Sequence, residues 1–140
     1  MAHQAKSEFR PAIVLRETDA ERLSNLASQM EASASLAANL LLDEIDRAEV
    51  RADHLVADTT VGMHSVVEFI DGAHERARTV TLVYPSEADI SANRISILTP
   101  VGAGLIGLSP GQSINWPDRD GNERALRILK VSRSEAAGGT

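Results

Sequence analysis

The stretch Asn93-Arg94-Ile95-Ser96-Ile97-Leu98-Thr99-Pro100-Val101-Gly102-Ala103-Gly104-Leu105-Ile106-Gly107-Leu108 decides how the rest of the chain must be arranged. Asn93–Leu98 is a short strand candidate, closed by Thr99-Pro100. Val101–Leu108 is apolar enough to be buried, yet its three glycines argue against a strand and for a short helix or turn. Ser109-Pro110-Gly111 then ends it. A short buried helix of this kind needs a sheet around it, and the flanking sequence supplies one.

Upstream, Val61, Met63, Ser65, Val67 and Phe69 alternate with Gly62, His64, Val66, Glu68 and Ile70, the period of a strand. Asp71-Gly72 is a turn signal. Ala77–Tyr84 is rich in β-branched residues and stops at Pro85. Downstream, Gln112–Trp116 and Arg124–Val131 read as two more strands joined by the turn Asp118-Arg119-Asp120-Gly121.

Nearer the N-terminus the period is helical. Ile13-Val14-Leu15 is a short apolar lead-in, and Thr18-Asp19-Ala20-Glu21 matches a capping box. Leu23, Leu26, Ala27 and Met30 follow at the spacing of an amphipathic helix. Ser33 or Ser35 can cap a second helix, with Ala37, Leu41, Ile45 and Ala48 along one face. Two short helices so closely joined predict an antiparallel hairpin that leans on the rest of the chain. The expected class is therefore α+β, with an N-terminal antiparallel helical hairpin followed by an antiparallel sheet wrapped on a short helix. The expected divisions are a mobile tail at 1–12, the hairpin at 13–52, the sheet domain at 53–133 and a mobile tail at 134–140.

Composition narrows the function. The 140 residues include 43% hydrophobic and 24% charged side chains, values of a globular chain rather than a disordered one. Phe9, Phe69, Tyr84 and Trp116 are the whole aromatic complement, too few for base-stacking platforms. A net charge of −6 repels phosphate backbones, so direct binding of nucleic acid is not expected. No cysteine is present, which removes thiol chemistry and cysteine zinc sites. Met1–Arg10 lacks an apolar signal core, and no apolar run approaches a membrane span; a soluble, cytoplasmic chain is expected.

Other groupings carry little chemistry. His54, His64 and His74 recur every ten residues, a spacing that does not converge on one helix face, and read as scattered histidines rather than metal ligands. Asp43, Glu44, Asp46 and Glu49 read as a solvated face partly paired with Arg47 and Arg51. Gly102, Gly104 and Gly107 lack the Lys-Ser/Thr of a phosphate loop and the glycine spacing of a dinucleotide site. No Ser, His and Asp set resembles a nucleophile arrangement. No catalytic residue, cofactor or metal is assigned.

Three ordered blocks point to a family: Thr81-Leu82-Val83-Tyr84-Pro85, then Ile95–Leu108, then Gly111-Gln112-Ser113-Ile114. Together they resemble the C-terminal domain of the GreA/GreB transcription elongation factors, and Leu42-Asp43-Glu44-Ile45-Asp46-Arg47-Ala48 is similar to the second helix of the family's Rnk branch (regulators of nucleoside diphosphate kinase). The resemblance spans roughly residues 13 to 132. It implies an FKBP-like domain that docks on the rim of the RNA polymerase secondary channel, with the hairpin pointing toward that channel. In Gre factors the docking loop reads Asp-Ser-Pro; the matching positions here are Leu98, Thr99 and Pro100, so the acid is replaced. The resemblance implies Thr99, Pro100 and Val101 as the contact loop, Leu105 and Ile106 supporting it from the core, and a hairpin tip at Gln29, Met30 and Glu31.

Gre factors also carry a long coiled coil with acidic residues at its tip, which help bind the polymerase's catalytic metal. Here the hairpin has about four turns per helix and its tip offers only Glu31, a poor metal clamp. The expectation is a monomeric, non-enzymatic regulator that does not stimulate transcript cleavage. The alternative reading is a peptidyl-prolyl isomerase, suggested by the FKBP-like fold alone, although fold does not transfer function.

Overall fold

The computed structural model describes residues 11–31, 36–72, 76–117 and 123–133. The chain begins with strand β1 (Val14–Arg16), then helices α1 (Glu17–Glu31) and α2 (Leu36–Arg47), then strand β2 (Glu49–Arg51). The sheet follows as β3 (Ser65–Asp71), β4 (Arg76–Val83), β5 (Arg94–Ser96), β6 (Ser113–Pro117) and β7 (Glu123–Arg133), with helix α3 (Pro100–Leu105) between β5 and β6. The expected tails lie almost wholly outside the described residues, as do the Ser33 or Ser35 cap and the turn at 118–121.

The lead-in Ile13–Leu15 contributes to a strand that its three-residue length concealed. β1 pairs with β2 in parallel, Leu15 opposite Val50. Parallel neighbours need a crossover, and here the whole helical hairpin is that crossover. On its other side β1 is tied to the α3 region, where Val14 N–H donates to the Gly107 carbonyl at 3.2 Å. Gly107 has φ +82°, and a Cβ there would stand 2.8 Å from Ile13 Cβ, so glycine is required for both conformation and approach. Both roots of the hairpin are thus fixed to the sheet domain.

The capping box is not what starts α1. Thr18 lies inside its first turn, with its amide donating to Asp53 Oδ1 at 3.1 Å and its hydroxyl to Asp53 Oδ2 at 2.6 Å. The carboxylate that satisfies this orphan amide comes from 35 residues downstream.

The sheet has the order β5-β4-β3-β7-β6. It is mixed, which corrects the expected antiparallel arrangement: β4 and β5 run parallel, Leu82 opposite Ile95. The connection 84–93 doubles back along β4 before β5 starts, so its two tight turns reverse the direction that a hairpin would give. The alternation seen from Val61 also begins later, since Val61–His64 form a loop and β3 opens at Ser65. His64 there takes φ +69°.

One continuous core joins the two parts. Phe69, Leu82, Leu105, Ile106, Leu108, Trp116 and Leu126 pack in the same cluster as Leu23, Ala27, Ala38 and Leu41 of the hairpin. Helix α2 lies between α1 and α3 and is buried over a wide arc. That arc takes in Glu44, 1% exposed and paired with Arg47 at 2.6 Å. The expected solvated face therefore holds for Asp43 and Asp46 but not for Glu44, while Glu49 lies on β2 and pairs with Arg51. Arg47 also donates to the Pro11 carbonyl, closing the hairpin's base.

Candidate functional site

The loop Ser96–Val101 leaves the edge strand β5 and enters α3. Thr99 caps α3 from the extended region, at φ −104° and ψ 157°, and its hydroxyl accepts from Gly102 N–H at 3.1 Å. The same hydroxyl donates to the Ser96 carbonyl at 2.8 Å. Pro100 occupies the first helical position, where no N–H is needed. Leu98 N–H is held by Ser96 Oγ at 2.9 Å. The loop's polar groups are thereby satisfied within the chain.

From beneath, β6 fixes the loop. The Trp116 indole N–H donates to the Pro100 carbonyl at 2.5 Å, and the ring lies under Gly104, where a Cβ would come within 2.9 Å. Gly102 likewise faces the Ser96 carbonyl with no room for a side chain. The glycines allow a six-residue helix to sit directly on the sheet.

Of the expected contact residues, Thr99, Pro100 and Val101 are half-buried side by side, with Leu98 beside them. Leu105 and Ile106 are fully buried at 0% exposure, within the core cluster beneath the sheet and helices. The Thr99 hydroxyl is committed to the cap, so the half-exposed part of the loop is mainly apolar: Leu98, the Pro100 ring and Val101. At the hairpin end, Gln29 is exposed in the last turns of α1; the side chains of Met30 and Glu31 lie outside the described residues. Leu36, at the start of α2, is 48% exposed.

Two features of the site carry no local sequence signal. Trp116 is separated from Pro100 by 16 residues, and only a large ring facing glycines hints at the contact. Where the hairpin meets the sheet, the buried Arg16 guanidinium donates to the Ala57 carbonyl at 3.0 Å, and Asp19 Oδ2 accepts from Met63 N–H at 3.2 Å. Burial pushes the Asp19 carboxyl up and the Arg16 guanidinium down, each partly opposed by the other's charge. Gly62 fits against both side chains, and a Cβ there would require the Arg16 guanidinium and the Asp19 carboxylate to shift.

Elsewhere, His64 Nε2 meets Glu87 Oε1 at 2.9 Å, and its ring stands edge-on to Tyr84 with centroids 5.9 Å apart. His54 is exposed, and His74 lies outside the described residues. Among the described residues no three His, Asp or Glu side chains are grouped to hold a metal ion, and no helix is long and apolar enough to cross a membrane. Phe69 and Trp116 are enclosed by the core at 0% and 1% exposure, which leaves Tyr84 as the one half-exposed aromatic among the described residues. Nothing in that arrangement favours an aromatic-walled proline pocket.

Comparison with known proteins matches the chain in two parts. Residues 56–133 match the family model "Transcription elongation factor, GreA/GreB, C-term", and residues 11–50 match "Rnk N-terminus". The "Regulator of nucleoside diphosphate kinase" of Escherichia coli (strain K12) is 35% identical over 130 residues, covering 92% of this chain and 96% of that protein. The GreA elongation factor of Acidiphilium cryptum is 31% identical over 134 residues, covering 90% of this chain and 85% of its own length. Among solved structures, a GreA/GreB elongation factor from Nitrosomonas europaea superposes with a TM-score of 0.68 at 38% identity, covering 86% of this chain and 98% of the other.

Proposed function

The chain belongs to the GreA/GreB family of transcription elongation factors, in its Rnk branch, and on that premise we propose that it regulates elongation by docking on RNA polymerase at the rim of the secondary channel. The observation that carries this reading is the capped loop Leu98–Val101, an apolar rim held in one conformation by Thr99 and Trp116. A surface fixed in advance loses little entropy on binding, so its apolar side chains retain most of their burial energy. Occupying the rim excludes other factors from the same place, so the chain acts by competition.

The hairpin supports a role without transcript cleavage. Its helices of 15 and 12 residues are about 22 and 18 Å long at 1.5 Å per residue. Much of α2 is spent against α1 and α3, which leaves little free length to reach an active centre. A metal-assisted mechanism also needs several oxygen ligands at the tip, and the sequence there supplies only Glu31.

Immobilised core RNA polymerase should retain the wild-type chain, and Val101→Asp or Pro100→Ala should weaken retention at least fivefold. Stalled elongation complexes should show no faster cleavage of backtracked transcripts when the chain is added. Undiminished retention of both variants would remove the loop from the interface, and accelerated cleavage would overturn the passive role.

A further inference from the structure

The connection between β4 and β5 concentrates its hydrogen bonds on one turn. Asp89 and Arg94 exchange both backbone bonds, at 3.0 and 2.9 Å. Asp89 Oδ1 accepts from the Ser91 amide at 3.1 Å and from the Ser91 hydroxyl at 2.6 Å. Asn93 takes the left-handed conformation at φ 58°, and its N–H donates to the Ile90 carbonyl at 3.0 Å. Its own carbonyl accepts from Thr81 N–H at 2.8 Å, which fastens the turn to β4. At the apex stands Ile90, 86% exposed, the barest large apolar side chain among the described residues.

A lone apolar side chain on a surface ordinarily requires no explanation. Ile90 differs because its turn is ordered in the folded chain, so a partner that buries it bears almost none of the ordering cost. Its position is also informative. Ile90 lies just before β5 and the capped loop Leu98–Val101 just after it, and the three residues of β5 span about 10 Å. β5 is the sheet's edge strand, so nothing in the sheet stands between the two ends. A footprint of about 800 Å² covers both.

Charge indicates what kind of surface fits. Glu87 and Asp89 flank the apex, and each is held ionised below the usual carboxylate range: Glu87 by its bond from His64, Asp89 by its bond from the Ser91 hydroxyl. The chain as a whole carries −6. Two carboxylates beside the knob, with Arg94 closing the same turn, on a chain of net charge −6 match a basic surface with a shallow apolar pocket.

We propose that Ile90 is a second anchor of the docking edge, inserting into an apolar pocket on a basic face of the polymerase while Leu98–Val101 seats at the other end of β5. This rests on the polymerase reading above. Ile90→Ser should bind core polymerase at least tenfold more weakly, with an unchanged thermal midpoint because the side chain is already in water. A photo-crosslinking residue at position 90 should join the chain to a polymerase subunit, and excess wild-type chain should suppress the product. Retention of wild type together with Ile90→Ser affinity within twofold overturns this inference alone. Failure of wild type to bind overturns the polymerase reading and the inference together. Concentration-dependent self-association abolished by Ile90→Ser would assign the knob to a second copy and also overturn it.

Discussion

The indole nitrogen of Trp116 and the carbonyl oxygen of Pro100 form a hydrogen bond that joins β6 to the first residue of α3. Trp116→Phe keeps a ring beneath Gly104 but leaves the buried-side carbonyl without that donor. A lost partner of this kind costs about 1–3 kcal/mol. Urea unfolding should show a lower midpoint with an unchanged slope. Polymerase retention should fall further than the stability loss explains, because the freed loop must be ordered again on binding.

Gly107 and Gly111 make a controlled pair. Both have positive φ, +82° and +90°, so alanine at either pays the backbone cost of about 1–2 kcal/mol. Only Gly107 faces Ile13; nothing lies within 4 Å of a Cβ at Gly111. Gly107→Ala should therefore destabilise by about 1–3 kcal/mol more than Gly111→Ala, the cost of overpacking, read from the difference in calorimetric midpoints.

Asp53 predicts an acid-sensitive hairpin. Its hydrogen bonds from Thr18, side chain first, hold the carboxyl below its ordinary value of about 3.9. A depressed folded-state value means the unfolded chain takes up the proton more readily as pH falls. The stabilisation is then present above about pH 4 and is lost as pH falls through the folded-state value. Asp53→Ala should lower the thermal midpoint at pH 7, and the gap from wild type should shrink toward pH 2. A gap independent of pH would contradict the assignment.

Arg47 is the ion-pair partner of the buried Glu44 and also binds the Pro11 carbonyl. Arg47→Ala should cost roughly 1–3 kcal/mol, since it removes one charge-assisted hydrogen-bonding partner of a buried carboxylate. Glu44→Gln combined with Arg47→Ala should recover part of that loss. Chemical denaturation of the two variants makes the comparison.

These features divide by how local they are. The β3 alternation and the glycine-rich short helix were readable because each is encoded within a few adjacent residues, although Pro100, read as closing the strand, opens the helix instead. The parallel course of β5 was not, because direction depends on the turns at Asp89 and Asn93 rather than on the strand itself. Nor was the burial of Glu44: its helix pattern reads as one apolar stripe, but α1 and α3 cover α2 on two sides. The Asp53 cap and the Trp116 contact join residues too far apart for any periodic pattern to report. The proposed contact loop rests on family motifs, whereas Ile90 broke no pattern and became visible only as an exposed side chain on a hydrogen-bonded turn.

The parallel β1–β2 ladder anchors both feet of the helical arm in one place, next to Gly107. Arm length is thereby decoupled from the scaffold. Seven residues added to each helix beyond the tip would lengthen the arm by about 10 Å without touching the ladder. The same base could carry a short or a long arm, the two differing by insertion at the tip alone. Grafting a longer arm onto this base is the engineering experiment the ladder makes possible.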